Sequence, residues 1–346
     1  MSVEPAAAWR RDWLFDQPDL AEFPALAAAR GFSCRTNARL AALASGLDRE
    51  PGLVCLAVAG SLGRLEAMED SDCDLIVIVE PAIARGSAVA KRLMTRVWDA
   101  LAPLGLKRPK GWGIFTEPAN PSELTALSAL GSLEDDVALY GKRMQLLLDA
   151  QPVFGDPAFF ALQQRLVEWF ETAHGCRERD FDHAYLLGEV VRYYRTYASW
   201  QQFRLSVESD ENWTVRQLKL IFSRRAMYAG FVLSLAAAWT VPDPRAALLR
   251  ALALPPLERI CLATDADRAR ALLGSYEVFQ RAMNDAATRA SLIAEGPQTL
   301  TDLDSPMGER FDELKRSGDA FGDLLAELID ERLNLAPSAL ARSFYV

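Results

Sequence analysis

The sequence predicts an α+β protein, a small mixed-sheet head followed by a larger all-helical domain. Three observations carry this. Two short apolar runs, Leu53–Gly60 and Cys73–Glu80, have the length and partly β-branched content of buried strands. Helical periodicity precedes and separates them. Beyond residue 155 apolar positions recur almost throughout at helical spacing, punctuated by proline and glycine.

In chain order, residues 20–48 predict a helix, with Leu40, Leu43 and Leu47 at helical spacing and Arg49-Glu50-Pro51-Gly52 as its stop. LVCLAVAG (53–60) is a strand ending on glycine, and residues 61–68 form a turn and short helix. CDLIVIVE (73–80) is the second strand. The stretch 82–106 is a helix with Leu93, Val97, Leu101 and Leu104 on one side, and GWGIFT (111–116) is the expected third strand. Helices are then expected over 122–150, 157–174, 183–206, 214–239, 244–254, 265–293 and 307–333. The breaks fall at Pro152, Gly155-Asp156-Pro157, Pro242-Asp243-Pro244, Pro255-Pro256 and Gly296-Pro297. The expected division is an N-terminal helical segment (1–49), the head (50–155) and a helical domain (156–346).

Composition narrows the function classes. Half of the 346 residues are apolar and a quarter charged, as in ordinary globular proteins. The net charge of -9 argues against a bulk electrostatic grip on nucleic acid, though not against a local basic patch. The five cysteines (Cys34, Cys55, Cys73, Cys176 and Cys261) are odd in number and contain no C-x-x-C. They read as reduced thiols of a cytoplasmic protein. With only His174 and His183 available, a zinc site of His and Cys is poorly supported. The N-terminus has no apolar core of a secretory signal. The longest apolar stretch, 226–241, is shorter than the about 20 residues a membrane span wants, so a buried core helix is expected and no membrane.

The chemistry concentrates in LAVAGSLGRLEAMEDSDCDLIVIVE. A strand delivers Gly60 and Ser61 to a tight turn, where glycine lets a phosphate approach the backbone and Ser61 offers a hydroxyl and an N–H. Asp72 and Asp74 then open the second strand. Alternation along a strand puts both carboxylates on one face. Two such carboxylates repel unless a cation lies between them, and their hard oxygens suit Mg²⁺ or Mn²⁺ bridging to substrate phosphates.

This arrangement resembles the DNA polymerase β-like nucleotidyltransferase superfamily, whose pattern is Gly-Gly or Gly-Ser, about ten residues, then Asp-apolar-Asp-apolar. The longer form G-S-x-G-R-x-E…S-D-x-D-L, with Arg64, Glu66 and Ser71, is similar to the catalytic head of uridylyltransferase-like and aminoglycoside nucleotidyltransferase-like bacterial proteins. The resemblance implies that Asp72 and Asp74 hold metal ions. An acceptor hydroxyl attacks the α-phosphorus of an NTP in line, and pyrophosphate leaves. Ser61 would cradle the triphosphate, and Arg64 is either a phosphate contact or a brace paired with Glu66. The superfamily normally adds a third carboxylate from a later strand. Glu117 is the favoured candidate, and Asp149, Asp135 and Asp136 remain open.

In the helical half, Lys219 and Ser223 are four apart and so are expected to share a helix face. Other branches of the superfamily use such a pair to steady the triphosphate. Arg192, Tyr193 and Arg195 lie at helical spacing, as interhelical packing or the wall of an acceptor pocket. The expected activity is Mg²⁺-dependent transfer of an NMP from an NTP, in a cleft between head and helical lobe. The acceptor is a small molecule, a protein or an RNA end, the first two favoured. The rival expectation is a non-catalytic nucleotide sensor or antitoxin-like regulator of the same fold.

Overall fold

The computed structural model describes residues 6–108, 113–173, 183–207, 212–297 and 308–335. His174 and Cys176 lie outside them. The elements run α1 (Pro24–Ala44), β1 (Leu53–Ala59), α2 (Gly60–Arg64), β2 (Asp74–Val79), α3 (Ala88–Leu101), α4 (Pro121–Leu124), α5 (Val137–Leu148), β3 (Gln151–Phe154) and α6 (Asp156–Ala173). After them come α7 (Ala184–Val207), α8 (Trp213–Lys219), a π-helical turn (Leu220–Arg224), α9 (Arg225–Ala238), α10 (Pro244–Leu252), α11 (Pro256–Leu262), α12 (Ala266–Asn284), α13 (Ala286–Ala294) and α14 (Glu309–Leu335). The protein is α+β, with one small sheet and helices over the remainder.

Two compact units form, each from separated stretches of chain. The first comprises Met1–Trp13, Arg30–Leu186 and Val241–Pro255, and the second Leu14–Ala29, Leu187–Thr240 and Pro256–Val346. Within the first unit α6 packs on β1 and β3, and α10 packs on α6.

The sheet of the first unit has strand order β2-β1-β3, and both pairings are antiparallel. Parallel character is limited to two isolated bridges on the outer side of β2, Asp72 to Lys107 and Ile78 to Ala119. The expected third strand at 111–116 is not one. Residues 111 and 112 lie outside the described residues, and Gly113–Thr116 form a turn. The third strand is Gln151–Phe154, in a segment read as a break. Pro152 has no N–H to donate and is tolerated because β3 is an edge strand. The N-terminal stretch covers that edge: the Trp9 indole donates to the Pro152 carbonyl at 2.8 Å, and the Ala8 N–H to Gln151 Oε1 at 2.8 Å.

β1 and β2 form near-continuous apolar runs because both their faces are covered. Leu56, Val58, Leu75 and Val77 pack with Leu40 of α1 and with Leu93 and Val97 of α3, all buried. Ser87 caps α3 by accepting from the Ala90 N–H at 3.2 Å.

In the second unit the expected helix 214–239 is continuous from Trp213 to Ala238 but contains the π turn. At 26 residues it has the length and composition of a membrane span, yet about two thirds of its apolar window is buried. Phe222, Tyr276, Phe279 and Phe321 pack there as an aromatic core. Two expected helices are divided. The stretch 122–150 yields α4 and α5, and 265–293 splits at Asp285, whose side chain caps α13. Pro255-Pro256 does not simply interrupt the chain, because Pro256 starts α11 at a position where its missing N–H costs nothing.

Candidate active site

β1 ends at Ala59, and Gly60 turns the chain with φ +64°. This left-handed conformation is one that glycine adopts without strain. Ala59 is the register partner of Asp74, so the turn and the first residue of β2 are adjacent. A Cβ at Gly60 would overlap Asp74 Oδ2 and lie 3.2 Å from its Cγ. The Asp74 carboxylate therefore rests on the backbone of the Gly60 turn.

Two residues earlier, Asp72 is exposed, Asp74 is half-buried, and Cys73 between them is buried. The Cys73 N–H donates to the Lys107 carbonyl at 3.1 Å, which fixes the lead into β2. With the intervening side chain turned inward, both aspartates lie on the other side of the strand. Burial pushes the Cys73 thiol up to about 12, and the negative charges of Asp74 and Asp72 add to that rise.

The turn is braced from three directions. At Gly63 a Cβ would overlap the carbonyls of Asp149 and Val58, so α2 sits directly on neighbouring backbone. Leu65 closes α2 at φ 62°, and the Glu66 N–H returns to the Ser61 carbonyl at 2.8 Å. Arg64 is buried and forked between Glu66 Oε2 (Nε, 3.0 Å) and Asp149 Oδ2 (Nη1, 2.7 Å). Of the two roles expected for Arg64, the structure places it as the brace, because both ends of its guanidinium face carboxylates.

Two further supports were not anticipated. Asn37 Nδ2 donates to the Leu62 carbonyl at 3.2 Å, and Ser33 Oγ accepts from the Ala67 N–H at 2.9 Å. Both residues are fully buried on α1. The legible signal was their spacing of four, which aligns two polar side chains on a helix that packs against the sheet.

None of the four third-acid candidates joins Asp72 and Asp74, and each faces an arginine instead. Asp149 is taken by Arg64. Asp135 pairs with the buried Arg143, whose guanidinium also stacks over Trp169. Asp136 caps α5 through the Ala138 and Leu139 N–H groups and receives both Arg85 nitrogens at 2.7 and 2.6 Å. The Arg85 hydrogen bonds hold its carboxyl down at about 2, with the helix amides assisting. Glu117 is part-exposed, 3.7 Å from Arg85. Among the described residues no three His, Cys, Asp or Glu side chains are arranged to hold a metal ion.

Lys219 and Ser223 both belong to the second unit and differ in exposure. Lys219 is exposed at the end of α8, whereas Ser223 is buried in the π turn and accepts from the Tyr276 hydroxyl at 3.0 Å.

Residues 28–126 match the protein-family model described as "Putative nucleotidyltransferase DUF294". That span includes the Gly60 turn, both aspartates and the supporting α1 residues, and it agrees with the resemblance to polymerase β-like nucleotidyltransferases. No curated protein and no solved structure matches the chain.

Proposed function

We propose that this protein is a divalent-cation-dependent nucleotidyltransferase. It moves an NMP from an NTP to an acceptor hydroxyl and releases pyrophosphate, with Gly60, Ser61, Asp72 and Asp74 at the centre. The observation that carries the reading is the Asp74 carboxylate lying on the Gly60 backbone. It puts an anionic ligand beside the turn that carries Ser61.

Two carboxylates, with no third acid beside them among the described residues, fit Mg²⁺ or Mn²⁺, since Mg²⁺ commonly takes one or two protein carboxylates and completes its shell with water and phosphate oxygens. Held by Asp72 and Asp74, such an ion supplies charge neutralisation for displacement at the α-phosphorus. The chain's own part is positional. Gly60 leaves room for the Asp74 carboxylate, and Ser61 next to it offers an N–H and a hydroxyl to a phosphate. Arg64, Asn37 and Ser33 hold the turn so that these groups need not reorganise. In the reaction the acceptor oxygen bonds to the α-phosphorus as the bond to the pyrophosphate oxygen breaks, and the acceptor proton passes to solvent. A cytoplasmic setting and a small-molecule or protein acceptor complete the proposal.

The arginine pairing of Glu117, Asp135, Asp136 and Asp149 favours a second reading, a nucleotide sensor that binds without transfer. Incubation of the protein with each labelled NTP, Mg²⁺ and a cell extract separates the two. Label transfer with pyrophosphate release, lost in Asp72→Asn and Asp74→Asn, supports the enzyme. Metal-dependent thermal stabilisation by an NTP with no turnover supports the sensor.

A further inference from the structure

We infer that Lys107 holds the β- and γ-phosphates of the nucleotide, and so the departing pyrophosphate; the inference rests on the nucleotidyltransferase reading. Lys107 follows α3, far from the Gly60 turn in sequence, and backbone pairing brings it to the aspartates. It forms the parallel bridge with Asp72, and its carbonyl accepts from the Cys73 N–H at 3.1 Å. Residues paired across a ladder project to one face, and their chain neighbours project to the other. Both neighbours of Lys107 obey this. Leu106 packs against the core cluster that contains Cys73, Leu93 and Val97. Arg108 lies over the Trp98 ring of α3 at 5.2 Å and 3.7 Å from Asp99. They turn to the α3 side, as Cys73 does, which leaves Lys107 on the side of Asp72 and Asp74.

The side chain is placed there without being tightly held. Its ammonium lies 3.6 Å from Asp70 Oδ1, and both side chains of that pair are more than half exposed. Exposed pairs of this kind are weak and screened by salt, so a polyphosphate, with more charge than one carboxylate, displaces Asp70. Arg64, the cation closest in sequence to the turn, is in a different condition, buried between Glu66 and Asp149. The chemistry of the step asks for a mobile cation at this place. As the acceptor oxygen bonds to the α-phosphorus, the electron pair of the broken bond stays with pyrophosphate, whose negative charge grows. A compact ammonium on a flexible stem donates hydrogen bonds to that charge, keeps its own proton and follows the phosphates as they leave.

The test reads binding rather than turnover. Isothermal titration calorimetry of the full chain with Mg²⁺ is run with the α,β-methylene analogue of each common NTP, with the matching NMPs and with inorganic pyrophosphate. Lys107→Met is expected to weaken the NTP analogue and pyrophosphate by about tenfold, the low end for a contact to a charged group, and to treat NMP as the wild type does. Lys107→Arg should keep most of the affinity, because it keeps the charge. Lys91→Met, at an exposed lysine of α3, should bind as wild type. Raising the salt should narrow the gap between wild type and Lys107→Met. Melting temperatures verify that each variant is folded. Asp74→Asn separates the two claims. If binding of the NTP analogue requires Asp74 but is unchanged in Lys107→Met, or if NMP loses as much as NTP, the role of Lys107 is overturned and the nucleotidyltransferase reading stands. If neither NTP analogue nor pyrophosphate binds the wild type, that reading fails and the inference fails with it.

Discussion

Arg64 Nη1 lies 2.7 Å from Asp149 Oδ2, and through this contact the end of α2 is tied to the residue pair that leads into β3. Its Nε holds Glu66 at 3.0 Å, so one guanidinium serves two buried carboxylates. Removing it takes a shared cation away from two buried carboxylates. Breaking a buried pair from one side typically costs about 3–5 kcal/mol. Arg64→Met is therefore expected to lower the melting temperature of the first unit by on the order of 10 °C. Arg64→Lys should recover only part of the loss, because an ammonium cannot reproduce the fork. Scanning calorimetry checks both, and an Arg64→Met protein melting with the wild type would refute the brace.

Gly60 and Gly105 provide a matched comparison. Their φ values are +64° and +63°, but a Cβ at Gly60 would meet Asp74, whereas at Gly105 it meets nothing. Alanine costs about 1–3 kcal/mol of backbone strain at either site. Only Gly60→Ala also displaces the Asp74 carboxylate. Transfer activity and metal-dependent NTP stabilisation are expected to fall at least about tenfold in Gly60→Ala and to persist in Gly105→Ala. Equal losses in the two would assign the effect to strain rather than to the site.

Strands β1 and β2 were legible because covering both their faces demands unbroken apolar runs. The Gly-Ser turn and the paired aspartates were legible for a related reason, since polar residues opening such a run need an explanation. β3 was not legible. It is four residues long and contains Pro152, and the first residue, Gln151, is specified by distant partners: it accepts from the Ala8 N–H and donates to the Ala253 carbonyl. The third acid failed in the same way. What decides the fate of Asp149 or Glu117 is an arginine 85 or 32 positions away, and no local pattern announces such a pair. The π turn at Leu220–Arg224 was not legible either, since a local widening of helical pitch leaves no mark in the apolar periodicity.

The Asp136–Arg85 pair predicts part of the acid limb of stability. The Asp136 carboxyl is held at about 2, below its ordinary 3.8. A carboxyl with a lowered folded-state value stabilises the fold above its unfolded value, and that contribution fades as pH falls through about 4 toward 2. The side chain is partly exposed, so salt screens the effect. Asp136→Asn should flatten the urea-unfolding profile between pH 2 and 4 relative to wild type, less so at high salt. A profile of unchanged slope would show that Arg85 does not hold the acid in solution.

Lys142 makes the opposite contribution. It is fully buried on α5, and its ammonium has no hydrogen-bond partner among the described residues. The amine is lowered from 10.5 to about 8, by burial first and then by the Arg85 charge, with Asp136, Glu117 and Glu123 offsetting part of the fall. Below about 8 the folded and unfolded chains are both protonated, and the full desolvation penalty burdens the fold. Between about 8 and 10.5 the folded chain is neutral at this site while the unfolded chain keeps its proton, so wild-type stability gains with rising pH. Lys142→Met should remove the penalty while keeping the stem's volume. At pH 7 the variant is expected to be more stable by on the order of 3 kcal/mol. That advantage should shrink as pH rises from 8 to 10.5, and differencing the two proteins cancels the titration of buried thiols they share. A variant less stable than wild type at pH 7 would mean that the ammonium is satisfied, by water or by a ligand, and that the penalty does not exist.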